Sequence, residues 1–70
     1  MPYFQACELL LSKESTVEEL LEAHEDIACQ YGHITCTAAL GLREDVEPDL
    51  IRLVMILEAI KVKIVEKFNQ

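Results

Sequence analysis

The sequence predicts an all-α protein, an antiparallel helical hairpin with a short N-terminal helix. Three observations predict it. Only two Gly and two Pro interrupt 70 residues, and no segment alternates apolar and polar residues over a strand's length. A helix-start signal at Ser15–Glu19 opens an apolar stripe at three- and four-residue steps. A polar connection then leads into a second long aliphatic run, the pattern of two antiparallel neighbours.

The first element is expected from roughly Tyr3 to Leu11, in YFQACELLL, a length that is marginal for a helix standing alone. The second begins at a capping box, formed by Ser15 with Glu18 or by Thr16 with Glu19 one step later. Glu18, Glu19 and Glu22 suit the positive end of the helix dipole. Val17, Leu20, His24, Ile27, Tyr31, Ile34 and Ala38 then make one stripe, which Leu21 and Ala28 widen. Gly41 is placed to close the helix with positive φ. Gly32, inside the helix, costs about 1 kcal/mol relative to Ala, and is read as a kink or a close approach of another backbone. LREDVEPD is the connection, and Pro48 belongs in the first turn of a third helix running to about Phe68.

A chain of this length forms a single helical domain, residues 1–70. Such a domain hides only about 60% of the surface its unfolded chain exposes, so it needs a staple: disulfides, a metal, unusually good packing or another chain. Cys7, Cys29 and Cys36 are odd in number and lack a framework spacing. MPYFQACELLL has no basic segment of the kind that opens a signal peptide, so free thiols in a reducing cytosol are expected. The longest uncharged apolar run, Leu53 to Leu57, is far too short to enter a membrane as a span.

The net charge of −7 is uneven. Residues 1–49 hold eleven Asp and Glu against Lys13 and Arg43, giving −9; residues 50–70 hold Glu58 and Glu66 against Arg52, Lys61, Lys63 and Lys67, giving +2. The acidic part repels nucleic acid phosphates and anionic membranes. Ala28 and Gly32 have a spacing seen in helix-turn-helix proteins, but HITCTAALGL carries no Arg, Lys, Asn or Gln to meet a duplex. Nucleic acid is not an expected partner.

The third helix raises the functional question. On a helical wheel, Leu50, Leu53, Val54, Leu57, Ile60, Ile64, Val65 and Phe68 form a broad stripe that suits the hairpin core. Ile51, Met55 and Val62, with Ala59 near them, form a second strip beyond Glu58, and Ile56 stands apart near Lys63. Each large apolar side chain taken out of water is worth about 1.5–3 kcal/mol, so this surplus calls for a cover. Two covers are open: the first helix folded over the second strip, or another chain.

No constellation carries chemistry. Cys29, His33 and Cys36 line up at i, i+4 and i+7, yet one straight helix cannot direct four ligands at a zinc ion. A Cys–His nucleophile at the same residues lacks an oxyanion hole and a pocket. His24 lies in the apolar stripe and reads as a core or half-buried histidine. A non-enzymatic protein without metal or cofactor is expected.

From CELLLSKES through the hairpin to LVMILEAIKVKIVEKFN, with LEAI at Leu57–Ile60, the chain resembles the small "E" co-chaperone family of type III secretion systems. The resemblance implies a cytoplasmic virulence chaperone. It would act as a subunit of a heterodimer with a tetratricopeptide-like "G" co-chaperone and help keep the needle subunit monomeric before export. Ile51, Met55 and Val62 are then the expected partner contacts, with Ala59 and Ile56 beside them and Tyr3 and Phe4 from the first helix. The segment before Ser15 is longer than a plain hairpin requires and is expected to add a packing helix or a further contact. Alone, the same strip would pair two hairpins as a homodimer. The alternative reading is a small acidic phage-type inhibitor that mimics nucleic acid charge through Glu18, Glu22, Glu25 and Asp26.

Overall fold

The computed structural model describes residues 3–69, and the side chains of residues 4–69. Three α-helices form in the expected order: α1 (Tyr3–Leu11), α2 (Val17–Ala39) and α3 (Glu47–Phe68). The start of α2 is the Thr16 box. The Thr16 hydroxyl accepts from the Glu19 amide at 3.1 Å, and the Glu19 carboxylate accepts from the Thr16 amide at 3.0 Å. Ser15, the other candidate, is buried and donates instead to the Ser12 carbonyl, which tightens the turn between α1 and α2.

The end of α2 is a Schellman motif. Gly41 takes φ +77° and its amide donates to the Ala38 carbonyl, while the Leu42 amide donates to the Thr37 carbonyl. Residues 40–46 connect α2 to α3, with Asp45 at φ 54°, a conformation that Asp tolerates better than most residues. Pro48 sits in the first turn of α3, and an exposed Arg43–Asp49 ion pair of 3.4 Å spans the connection. Gly32 departs from expectation: α2 runs through it unbroken, and a Cβ added there meets no atom within 4 Å outside the helix's own backbone.

α2 and α3 pack along each other as the hairpin, and α1 lies in the groove between them. The buried core draws on all three: Ala6 from α1; Leu20, Ala23 and Ile27 from α2; Leu53, Ile56 and Ile60 from α3. Cys7, Leu9, Leu10, Tyr31, Ile34, Leu57 and Ile64 pack around it. Phe4 shares a cleft with Gln30, Ile34 and Leu53, whereas the last carbonyls of α1 meet Lys63, so α1 runs parallel to α3 and antiparallel to α2. Fully buried Ala6 and Ala23 are small enough to let α1 settle deeply.

This placement turns both long helices relative to the wheel. At 100° per residue, the buried face of α3 is rotated by about 80° from the expected stripe, towards Ile56 and Lys63. Val54, Val65 and Phe68, expected in the core, are exposed. On α2 the core widens towards Ala23, leaving Leu21 and Ala28 exposed on the far side. The cause is common to both: α1 adds its apolar residues on one flank of the hairpin, and burial follows them.

Candidate partner-binding surface

The outward face of α3 is built by the helix period alone. With Leu53, Ile56 and Ile60 turned into the core, residues half a turn away must point to solvent. Several are apolar. Ile51 is 52% exposed, Met55 67% and Val62 54%, with exposed Ala59 among them. Val54, Val65 and Phe68 extend this surface along one side. The first helix therefore does not lie over the second strip, and a helix apolar on both faces is left half covered.

Other expected contacts fall differently. Ile56 is only 4% exposed and belongs to the chain's own core, because α1 covers the flank on which it stands. It is no partner contact on this surface. Phe4 is exposed at the free end of α1, away from the outward strip, and lines the cleft with Gln30, Ile34, Asp49, Arg52 and Leu53. The Tyr3 side chain lies outside the described residues.

The interruptions in the strip are charged. Glu58 is exposed on the outward side of α3 with Lys61 and Glu66 towards its two edges, while Arg52 is exposed at the Phe4 cleft. On the back of the hairpin, Leu21 and Val65 flank a shallow, mostly apolar cleft with Ile64, half-buried His24 and Lys61. The apolar surface thus continues from α3 onto the lower part of α2.

Lys63 is the residue that sequence reasoning missed. Its Nζ donates to the carbonyls of Leu9, at 3.2 Å, Leu10 and Ser12, at 2.6 Å. Three donors thus meet three acceptors at the end of α1, where carbonyls lack helical partners and the dipole is negative. Lys63 pins α1 in the groove and so decides which face of α3 remains open. The available signal was spacing: Ile56, Ile60 and Lys63 follow i, i+4, i+7, which puts one lysine on an otherwise apolar flank.

The residues weighed for chemistry do not converge. Cys29, His33 and Cys36 all lie on the exposed side of α2, with free thiols, and among the described residues no group of three or more His, Cys, Asp or Glu is placed to hold a metal ion. Thr35 and Thr37 turn their hydroxyls back onto helix carbonyls at 2.9–3.0 Å. Glu18, Glu22 and Glu25 are exposed on α2 and Asp26 is half-buried, and Glu22 lines a shallow cleft with Glu8 and Glu19. Among the described residues, no helix is long and apolar enough to cross a membrane.

Comparison with protein-family models, with curated proteins and with solved structures finds no match to this chain.

Proposed function

We propose that this chain is a non-enzymatic adaptor whose outward α3 face docks on a helical partner protein. The observation that carries the reading is the exposure of Ile51, Met55 and Val62 on a helix whose opposite face is already in the core. Three large apolar side chains held in water forfeit several kcal/mol that a partner's groove would recover, at about 1.5–3 kcal/mol each when fully covered. Their arrangement suits a helical-repeat groove, which receives a straight helix along a line of anchors.

The sequence resemblance names that partner class. On this reading the chain is a cytoplasmic co-chaperone that stabilises a tetratricopeptide-like chaperone, and together they keep a type III secretion needle subunit monomeric. Its contribution is structural, through Ile51, Met55, Ala59 and Val62.

The test is co-expression with a tetratricopeptide-like chaperone and a needle subunit of a type III system, followed by purification. The expected outcome is a soluble ternary complex that Ile51→Asp with Val62→Asp abolishes while the helical circular dichroism of the chain persists. Recovery of the same complex from the double variant, or free needle polymerisation in the presence of the wild-type pair, would overturn the reading.

A further inference from the structure

The cleft beside Phe4 joins an apolar floor to a positive charge. It lies where α1 begins, beyond the part of the hairpin groove that α1 fills, and has a volume of about 390 Å³. That size falls within the range of about 300–1,000 Å³ common among ligand pockets. Buried Leu53 and half-buried Ile34 form its floor. Phe4, from α1, and Arg52, from α3, stand exposed at its rim. Phe4 is 79% exposed although it shares the cleft with Leu53, so its ring walls the opening without closing it.

The charges at the rim are not equivalent. Asp49 pairs with Arg43 at 3.4 Å, and the two together are close to neutral. Arg52 enters no ion pair or hydrogen bond among the described residues. The charge open to a ligand is therefore positive, in a chain whose net charge is −7. Salt screens fields over about 8 Å at physiological strength, so a group seated in the cleft meets Arg52 ahead of the acidic faces farther off. A guanidinium presents parallel N–H donors that match the two oxygens of a carboxylate.

We propose that this cleft receives a segment of a partner protein, with a large aliphatic side chain seated among Phe4, Ile34 and Leu53 and a neighbouring carboxylate held by Arg52. The apolar floor supplies most of the affinity, because the ion pair forms at an exposed rim. Arg52 supplies selectivity. An amide in place of the carboxylate keeps the shape and loses the charge, and a basic segment is repelled. An anionic lipid surface also combines apolar chains with negative charge, but it would be set against the acidic residues of α2. Phe4 lies away from the outward strip of α3, so this site stands apart from the adaptor reading.

The experiment is a titration of the isotope-labelled full chain with the peptide acetyl-Ala-Leu-Ala-Glu-Ala-amide, followed by amide chemical shifts. In an extended segment the leucine and glutamate of this peptide project to one side. Shifts are expected to saturate and to concentrate at Phe4, Gln30, Ile34, Arg52 and Leu53. Glutamine in place of the peptide's glutamate should weaken binding about threefold, the size of an exposed ion pair. Alanine in place of its leucine should weaken binding about tenfold. Arg52→Gln should remove the preference for glutamate and keep the dependence on leucine, whereas Phe4→Ala should weaken both peptides alike. Both residues are exposed, so the helical circular dichroism should persist in each variant. No saturable response, equal affinity for the glutamate and glutamine peptides, a preference that survives Arg52→Gln, or shifts centred on Met55 and Val62 would each overturn the proposal. Uptake of the chain by phosphatidylglycerol vesicles without a response to the peptide would do the same. Ile51→Asp with Val62→Asp should leave the titration unchanged, which separates a failure here from a failure of the adaptor reading.

Discussion

The two glycines of this chain carry opposite consequences, because their backbones differ. Gly41 holds φ +77° and closes the Schellman motif after α2; a Cβ there is strained whatever space surrounds it. Gly41→Ala is expected to destabilise by about 1–2 kcal/mol. Gly32 is helical, exposed and free of neighbours, so it has only the entropic cost of glycine in a helix. Gly32→Ala should stabilise by about 0.5–1 kcal/mol. Thermal unfolding of the two single variants checks both signs; equal shifts in the same direction would contradict this account. At the same scale, Met55 and Ile56 show how one step along a helix separates an exposed side chain from a core one.

Among the elements, α1 is the one whose position has to be secured. At nine residues it is too short to hold its own helix firmly, so its order comes from docking. Apolar contact supplies part of that, through Ala6, Cys7, Leu9 and Leu10. Lys63 supplies direction, since only one end of α1 offers carbonyls to an ammonium. Lys63→Met keeps the aliphatic stem and removes the donors, and is expected to cost about 1–3 kcal/mol. The loss should be local. Amide exchange in α1 should accelerate well before that in α2 and α3, and uniform acceleration over all three helices would show that Lys63 does not anchor α1 in particular.

For the molecule as a whole, shape sets the limit. The fold is a rod of 44 × 17 × 16 Å, and α1 spans only about 13 Å of a hairpin whose α3 is about 33 Å long. A rod this thin buries few side chains completely, with Leu20, Ile27 and Ile60 the largest among the described residues. Its intrinsic stability is accordingly small, and covering the outward α3 face with another chain should raise it measurably. The midpoint of thermal unfolding of this chain is expected to climb by several degrees when the tetratricopeptide-like chaperone is added in excess. In Ile51→Asp with Val62→Asp the midpoint should not respond to that chaperone. A wild-type midpoint that stays constant would mean that this face gains nothing from that chaperone.

Local signals were enough for the helices themselves. The Thr16–Glu19 box, Gly41 and Pro48 mark ends through hydrogen bonds and dihedrals that involve only neighbouring residues, and each appears where the residues require. The surplus of apolar residues on α3 was legible for the same reason, as a count against one face of a helix. Ile51, Met55 and Val62 could be read as lying outside the core stripe, but that Val54, Val65 and Phe68 would join them in water and Ile56 would be buried could not. Ile56 and Val54 are equally apolar, and Leu21 is larger than Ala23; the sequence by itself holds no preference among them. That was decided by the docking of α1, with Lys63 at its end and Ala6 and Ala23 buried at its contact, which drew the core to one flank, buried Ile56 and left Val54, Val65 and Phe68 in water beside Ile51, Met55 and Val62. Helix period fixes which residues share a face, but only contact between distant segments decides which face is buried, because burial is a property of the neighbour as much as of the residue.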